Sequence, residues 1–348
     1  MQASDAALSY RGSGVDIDAA DRAKHRLAGL VRSTATPDTL STLGSFGGLY
    51  RLPPGLEKPI LVASTDGVGT KLKVAVAAGR HGTVGEDLVN HCVNDILVQG
   101  ARPLFFQDYL GIGRMDEGVV EAVVSGVARG CRANGCALLG GETAELPDMY
   151  AAGEYDLAGT IVGVVEQDRL LDGSRIEPGD AIVALASSGL HTNGYSLARQ
   201  VLFERMRLGP DDVFPGEEGT VADVLLRTHR SYLPALMPLL ERGEIRGLAH
   251  ITGGGLLDNI PRVLPPGLDA HLDTASWELP SVFRTLQAHG GIEEKEMFRV
   301  FNMGIGMVAF VHAERANALV RELNAAGEQA WVAGEIRRGS GRVLLSWP

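Results

Sequence analysis

Apolar residues recur along the chain with two alternating periods, which predicts strands and helices that follow one another. In the first half, four apolar runs bounded by turn residues predict strands: residues 59–64, 104–110, 137–139 and 157–165. The first of these runs is short and continuous, so it is predicted to be a buried strand. Three other stretches predict helices, two of them with apolar residues at amphipathic spacing: residues 19–31, 85–100 and 117–132.

The second half repeats this alternation. Predicted strands are 181–186, 248–252, 269–272, 306–311 and 329–336, and predicted helices are 195–205, 221–241, 256–263 and 313–326. A polar stretch with proline and glycine, 172–180, separates the halves, so residues 1–170 and 171–348 are expected to form two domains. Strands that alternate with helices in both halves predict an α/β or α+β class.

Composition narrows the possible ligands and the location. Glycine accounts for 45 of the 348 residues, nearly twice the usual share of about 7%, which predicts tight turns or backbone close to a ligand. The net charge of −11 argues against a nucleic acid partner but leaves room for a small phosphorylated ligand. No apolar run reaches the roughly 18 residues of a membrane span. With no visible leader and three cysteines that lack metal-site spacing, a cytoplasmic protein is expected.

The segment from Ser64 to Lys71 is the first candidate site. Glycines at 67 and 69 allow backbone N–H groups to approach a phosphate, Lys71 adds a positive charge, and Asp66 offers a carboxylate to a metal ion. The segment matches neither the P-loop nor the dinucleotide-binding pattern. An Asp-Gly turn capped by Thr70 would explain the same residues without a ligand, and the pattern alone leaves the two interpretations equally open.

The predicted helix 85–100 carries the second candidate site. Asp87, His91 and Asp95 lie four residues apart and share one face with Asn90 and Asn94. Such a face is often merely solvated. The rest of this helix is apolar, however, and no lysine or arginine balances the charge before Arg102. Oxygen ligands at this spacing suit Mg²⁺, so a metal-binding face is the favoured interpretation.

Three more glycine turns follow predicted strands. They are Gly140-Gly-Glu-Thr143, Ser187-Ser-Gly-Leu-His-Thr-Asn-Gly194 and His250-Ile-Thr-Gly-Gly-Gly255. Because open α/β sheets bind ligands at the carboxyl ends of strands, the acidic turns at Asp66 and Glu142 could converge. His191 and His250 could each be a core histidine or a site residue. The sequence has no GxSxG or HExxH motif, so acyl transfer and zinc proteolysis have no support. The glycine turns and carboxylates together indicate a two-domain, Mg²⁺-dependent, phosphate-handling protein.

Taken in order, these segments resemble the AIR synthetase family, the phosphoribosylformylglycinamidine cyclo-ligases of purine biosynthesis. The resemblance runs from Tyr10 to about Ile336 and includes the signature DxxxxGAxP at Asp95–Pro103. The other matching segments are Gly14–Asp18, Thr65–Lys71, Cys92–Asp95, Leu104–Phe106, Gly140–Glu145, Ser187–Leu197, His250–Pro261 and Phe301–Gly304.

The resemblance implies an ATP-dependent closure of an imidazole ring through an iminophosphate, with formylglycinamidine ribonucleotide as substrate. It implies a two-domain fold in which an N-terminal mixed sheet joins that of a second copy in a homodimer, and a layered α/β C-terminal domain closes the cleft. ATP and Mg²⁺ are the implied cofactors, with a need for K⁺ left open.

The resemblance also assigns roles to individual residues. Those implied as catalytic are Asp66, Lys71, Asp95, Glu142 and His191. With Asp87 from the acidic helix face, the implied metal ligands are Asp66, Asp95 and Glu142. Those implied to hold the nucleotide are Gly67, Gly69, Thr70, Asn94, Gly141, Thr143, Asn193, Gly253, Gly254 and Gly255.

Relatives in the same superfamily provide the alternatives. Selenophosphate synthetase would need a reactive cysteine near the N-terminus, and the first cysteine here is Cys92. Thiamine-monophosphate kinase lacks the His191–Gly194 and Phe301–Gly304 segments as found here. A non-catalytic nucleotide-binding regulator is a third possibility, which the retained carboxylates disfavour.

Overall fold

The computed structural model describes residues 17–347, so Tyr10 and the Gly14–Asp16 part of the family motif lie outside the described residues. The first domain contains a four-stranded sheet with the order β1-β4-β2-β3. Its strands are β1 Pro59–Gly67, β2 Arg102–Ile112, β3 Ala137–Glu145 and β4 Tyr155–Glu166. β4 runs antiparallel to β1 and β2, whereas β2 and β3 are parallel. β1 and β3 therefore lie at opposite edges.

Three helices cover one face of this sheet: α1 Ile17–Arg32, α3 Val84–Leu97 and α4 Glu117–Ala133. A fourth helix, α2 Lys71–Ala78, packs against α3 and against helices of the second domain. The α4 helix begins at Asp116, whose carboxylate accepts hydrogen bonds from the N–H groups of residues 118 and 119. α3 and α4 cross closely at Gly85, where a Cβ atom would collide with the α4 backbone. The predicted helices of this half are confirmed to within a few residues.

The outward face of the sheet corrects one sequence prediction. Strand β1 forms as expected but is not buried: only Val62 falls below a tenth exposed, and Leu61 is 58% exposed. β1 is an edge strand with its inward residues against α3 and its outward residues in solvent. A continuous apolar run predicts burial on both faces, but no layer formed by residues 17–347 covers the outward side.

The second domain is built on a six-stranded sheet with the order β10-β7-β9-β5-β8-β6. Its strands are β5 Ala181–Ala186, β6 Gly247–His250, β7 Leu268–Asp273, β8 Ile305–Val311, β9 Ala330–Arg338 and β10 Val343–Ser346. Its helices are α5 Tyr195–Arg199, α6 Val221–Leu225, α7 Leu233–Glu241, α8 Gly255–Asn259, α9 Ser281–Gly290, α10 Glu294–Val300 and α11 Ala313–Ala325. β8 is buried along its whole length, which explains its unbroken apolar sequence.

The predicted helix 221–241 is wrong in its middle. The chain forms α6 and α7 but leaves the helical path between residues 226 and 232. That segment turns toward the first domain, where side chains of α3 bind its backbone. Tertiary hydrogen bonds thus replace the helical ones that leucine-rich periodicity predicts. α2, α9, α10 and β10 had no counterpart in the sequence prediction.

Two further predictions concern the cysteines and the absence of a membrane-spanning helix, and both agree with the described residues. All three cysteines are buried free thiols. In residues 17–347, no helix combines the length and apolarity needed to cross a bilayer.

Candidate active site

Most of the polar face of α3 is buried in the contact between the two domains, and of its polar residues only Asp95 keeps part of its side chain exposed. The Nδ2 group of Asn90 donates to the carbonyl of His229 at 2.7 Å. The amide of Asn94 is used on both sides, because Nδ2 donates to the Arg230 carbonyl at 2.8 Å and Oδ1 accepts from the Tyr232 N–H at 3.0 Å. Asn94, predicted to hold the nucleotide, is therefore occupied in joining the domains.

Lys71 and Asp87 form a fully buried ion pair. Lys71 Nζ lies 2.8 Å from Asp87 Oδ2, and neither side chain has any exposed surface. Nζ also donates to the carbonyls of His191 and Arg227 in the second domain, at 3.1 and 2.7 Å. Asp87 Oδ1 accepts from the N–H of His229 at 2.7 Å. Their predicted roles, phosphate binding and metal ligation, do not agree with this geometry, since every charged atom already faces a protein partner.

Asp66 and Asp95 lie together beside two histidines. Asp66 Oδ2 is 2.7 Å from His91 Nε2, and Asp95 Oδ2 is 3.7 Å from the same nitrogen. The other oxygen of Asp95 is 2.8 Å from His250 Nδ1. Ser64 Oγ donates to Asp95 Oδ2 at 2.9 Å. Asp66 keeps 43% of its side chain exposed and Asp95 keeps 25%, so both carboxylates remain open to a ligand.

The histidines keep these carboxylates ionised. Burial raises the pKa of Asp66 and Asp95, but hydrogen bonds and charge from His91 and His250 outweigh burial and leave both pKa values below the usual one. Burial lowers the pKa of His91, yet its bond to Asp66 and the nearby carboxylates raise the pKa overall. For His250, burial dominates and lowers the pKa. The arrangement is an anionic pair backed by imidazole donors.

A cluster of three buried histidines, His191, His229 and His250, lies behind this pair. One ring nitrogen of each lies within 4.8 Å of the others. The ring of His191 stacks on that of His229 at 4.0 Å, and His229 Nε2 is 3.1 Å from His250 Nε2. His191 adopts a φ of 60°, which is strained for a residue with a Cβ atom. Burial holds the pKa of His191 and His229 well below the usual value, so both are neutral.

The glycine turns form the rim around the carboxylate pair. Gly67 donates its N–H to Asp66 Oδ1 at 2.7 Å, and a Cβ atom at Gly69 would meet only open space. Thr70 Oγ1 is 3.0 Å from Ser196 Oγ across the domain boundary. Asn193 lies against Gly253, at the start of the turn that continues through the left-handed Gly254 and Gly255. The structure brings these predicted residues to one cleft.

Glu142 is not part of this cleft. It lies in the same cross-strand row as Gly67, through Tyr109 and Ala158. Three strand spacings therefore separate them, about 14 Å. The two acidic turns do not converge, because the strand order puts β1 and β3 at opposite edges of the sheet.

Glu142, Gly141 and Thr143 border a separate cavity of about 680 Å³. Its walls come from α1, α4, β3 and the glycine-rich loop 42–48, and many of its side chains are apolar. Asp108 and Gln107 of β2 reach it from the sheet. The described lining contains no lysine or arginine. The cavity thus suits an uncharged, flat ligand group better than a phosphate.

Sequence reasoning missed His229 and Asp108. His229 lies in the segment predicted to be the middle of a helix, so its pattern offered no sign of a site. Asp108 did leave a signal: it is the one acidic residue among the alternate positions of β2 that otherwise hold Leu104, Phe106, Leu110 and Ile112. A carboxyl group in such a row is unexpected unless it has a function.

Comparison with known proteins identifies the family. Residues 48–165 match the family described as "AIR synthase related protein, N-terminal domain", and residues 177–345 match its C-terminal counterpart. The phosphoribosylformylglycinamidine cyclo-ligase of Sorangium cellulosum is 55% identical over 331 residues, covering 94% of this chain and 95% of that protein. The chain belongs to the phosphoribosylformylglycinamidine cyclo-ligase family. The family expectation drawn from the motifs is confirmed.

Solved structures show how widely this fold is shared. A thiamine-monophosphate kinase from Stenotrophomonas maltophilia superposes with a TM-score of 0.67 at 20% identity, covering 94% of this chain and 95% of that one. A hydrogenase maturation protein HypE in complex with ATP gives 0.66 at 21% identity, covering 93% and 91%. At this level of identity the likeness shows the fold alone, and it confirms the two-domain mixed α/β class.

Proposed function

We propose that this cyclo-ligase converts formylglycinamidine ribonucleotide and ATP to aminoimidazole ribonucleotide, ADP and phosphate. The formamide oxygen takes the γ-phosphoryl group of ATP and ADP leaves. A nitrogen of the substrate then attacks the same carbon, phosphate departs, and the imidazole ring closes. The observation that carries the proposal is the ionised pair Asp66 and Asp95 on a glycine-lined cleft, in a chain 55% identical to a named cyclo-ligase.

A magnesium ion fits the pair Asp66 and Asp95. Both carboxylates are partly exposed and ionised, and hard divalent cations prefer such oxygen ligands. Mg²⁺ bound there would neutralise charge on the phosphoryl group during transfer. Asp87 does not fit, since it is fully buried against Lys71. His91 and His250 orient the two carboxylates and restrict their rotation.

The second domain supplies the opposite wall of the cleft. His191 holds its turn in the strained conformation that puts Asn193 beside Gly253. Among the described residues, the backbone N–H groups of Gly69, Gly253 and Gly254 have no protein acceptor and are available to phosphate oxygens, whereas those of Gly67, Val68 and Gly255 are already used. We assign the nucleoside end of ATP to the cavity beside Gly141, Glu142 and Thr143, whose described lining has no basic residue.

A homodimer is proposed on the uncovered face of the first sheet. Its outward residues on the central part of the sheet are uncharged, and two of them are large and exposed, Leu61 at 58% and Tyr109 at 40%. The others are Ala63, Thr65, Phe105, Gln107, Ala158, Thr160 and Val162. A contiguous uncharged face of this kind is typical of a protein interface. Three buried free thiols favour a reducing, cytoplasmic location.

The test is incubation of the purified protein with formylglycinamidine ribonucleotide and Mg·ATP. Aminoimidazole is followed colorimetrically and ADP by a coupled assay, and the two should appear in equal amounts. Thiamine monophosphate in place of the substrate should give no ADP above background. ADP release without aminoimidazole, or turnover of thiamine monophosphate alone, would contradict the proposal.

A further inference from the structure

The hydroxyl of Thr192 lies between two buried imidazole rings. Its Oγ1 atom is 2.7 Å from His91 Nδ1 and 3.3 Å from His229 Nδ1, and Asn193 Nδ2 donates to it at 3.4 Å. Thr192 is 8% exposed, and both histidines are buried more deeply. A hydroxyl has one hydrogen and two lone pairs. Because Asn193 uses one lone pair, the hydroxyl donates to one imidazole and accepts from the other, which links the proton positions of the two rings.

A chain of hydrogen bonds runs from each side of this hydroxyl to a carboxylate. On one side, the other ring nitrogen of His91 lies 2.7 Å from Asp66 Oδ2. On the other side, His229 Nε2 is 3.1 Å from His250 Nε2, and His250 Nδ1 is 2.8 Å from Asp95 Oδ1. A neutral imidazole donates at one nitrogen and accepts at the other, so an orientation fixed at one link is passed to the next. One hydroxyl thus joins both carboxylates of the pair.

This chain crosses the boundary between the two domains twice. The first domain carries both carboxylates and His91, whereas Thr192 and the other two histidines belong to the second. Thr192 follows His191, whose φ of 60° is unusual for a residue with a Cβ atom. The His191 carbonyl accepts hydrogen bonds from Lys71 Nζ and the Tyr195 hydroxyl, both at 3.1 Å. Such strain persists only where surrounding contacts impose it, and it clusters at functional sites. Docking of the domains therefore places this hydroxyl in one fixed position.

We propose that Thr192 is a positioning residue for the pair Asp66 and Asp95. Its hydroxyl sets the orientation and tautomer of His91 and His229, and through these rings it holds the two carboxylates in the geometry that a divalent cation requires. The inference rests on the proposed function, since it takes this pair as the metal site. Loss of a group that orients a metal ligand typically lowers metal affinity or activity by about 10- to 100-fold. Thr192 acts through the histidines and not on the substrate.

The test compares wild type with Thr192→Val and Thr192→Ser. Mn²⁺ is titrated by electron paramagnetic resonance on the protein alone and with a non-hydrolysable ATP analogue. Ring closure gives kcat, and ¹⁵N NMR of the metal-free protein reports the histidine tautomers. Thr192→Val keeps the shape but lacks the hydroxyl, so it should weaken Mn²⁺ binding and lower kcat by about tenfold or more. The signals of His91 and His229 should then show mixed tautomers. Thr192→Ser should restore affinity and rate to within about threefold of wild type, since it keeps the donor and the acceptor.

Thr285→Val is the matched control. Thr285 Oγ1 also donates to a protein acceptor, the Pro215 carbonyl at 3.1 Å, but it lies on α9, which contributes no residue to the cleft described above. It should leave Mn²⁺ affinity, kcat and the tautomers unchanged. A merely structural hydroxyl at Thr192 would lower the melting temperature in the same way and leave these three readouts alone.

Several outcomes would overturn the inference. One is a folded Thr192→Val that binds Mn²⁺ as wild type does. Another is Thr192→Ser as impaired as Thr192→Val, because the methyl group and not the hydroxyl would then be responsible. Thr192→Ala replaces Thr192→Val in both comparisons if the latter does not fold. Absence of ring closure by wild type would overturn the proposed function, while the ratio of Mn²⁺ affinities between Thr192→Val and Thr192→Ser would still decide the role of Thr192.

Discussion

Replacing Lys71 with methionine separates two roles for this lysine. Methionine keeps an apolar stem of similar length but removes the charge that faces Asp87 at 2.8 Å. It also leaves the carbonyls of His191 and Arg227 without the donor that now reaches them from the first domain. A phosphate-binding lysine would leave stability nearly unchanged when lost, whereas an interdomain ion pair would not.

The expected loss of stability is large. Removing one partner of a buried pair costs about 3–5 kcal/mol, because the remaining charge stays buried without compensation. This is a large share of the roughly 5–15 kcal/mol that stabilises a typical domain. Asp87→Asn keeps the acceptor for the His229 N–H but removes the negative charge. Combined with Lys71→Met, it should be less destabilising than the sum of the two single changes by at least about 1 kcal/mol.

Equilibrium urea unfolding, followed by circular dichroism and by tryptophan fluorescence, measures these changes, with kcat taken on the same preparations. Lys73→Met is the matched control, since Lys73 lies on the same helix with 43% of its side chain exposed and pairs only with the exposed Glu154. It should change stability by no more than about 0.5 kcal/mol. If Lys71→Met unfolds at the wild-type urea concentration yet has lost its kcat, Lys71 contacts phosphate and the structural reasoning is refuted.

Three further outcomes are expected. Asp95→Asn should lower kcat by about 10²-fold or more and weaken the Mg²⁺ dependence with an unchanged thermal melt, because it removes a charged metal ligand; an unchanged kcat would remove Asp95 from the site. Asp108→Asn should stabilise the nucleotide-free protein by a few kcal/mol at pH 8 but not at pH 4. The reason is that a carboxyl group with a pKa of about 7 in the folded protein lowers stability only above its pKa in the unfolded chain, about 4. Equal shifts of the melting temperature at both pH values would contradict this. Leu61→Lys should convert the proposed homodimer to a monomer of about half the sedimenting mass, and a dimer that persists would place the interface elsewhere.

Local periodicity predicted most elements of this fold. The α3 and α4 helices and strand β5 follow from apolar spacing, because each buries one face or one run against its own domain. The break between α6 and α7 could not be predicted in this way. It is stabilised by side chains of α3, more than a hundred residues earlier, and nothing in the local pattern of 221–241 records them.

The site was predictable in its chemistry more than in its geometry. The carboxylates Asp66 and Asp95 and the glycine turns became candidates because their residue types are unusual in that spacing. The role of Lys71 could not be decided from sequence, because a lysine after a glycine turn looks the same whether it meets a phosphate or a buried aspartate. Glu142 was misplaced because a sequence does not give the order of strands, and that order decides which turns are neighbours.

The α3 helix binds the second domain mainly through main-chain atoms of that domain. The docking of the two domains therefore depends little on the side chains that determine the reaction. Side chains of α3 bind the carbonyls of His229 and Arg230 and the N–H groups of His229 and Tyr232, and Lys71 of α2 donates to the carbonyl of Arg227. These main-chain bonds do not depend on which side chains occupy 227–232, as long as proline stays out of positions 229 and 232; of the side chains, Ser231 Oγ donates to Asn134 Oδ1 at 2.5 Å and His229 Nε2 lies 3.3 Å from Asn94 Nδ2. A new side chain in place of the His229 imidazole would enter the site at an unaltered angle between the domains. A domain contact of this kind allows the residues of the site to change while the arrangement of the two domains stays the same.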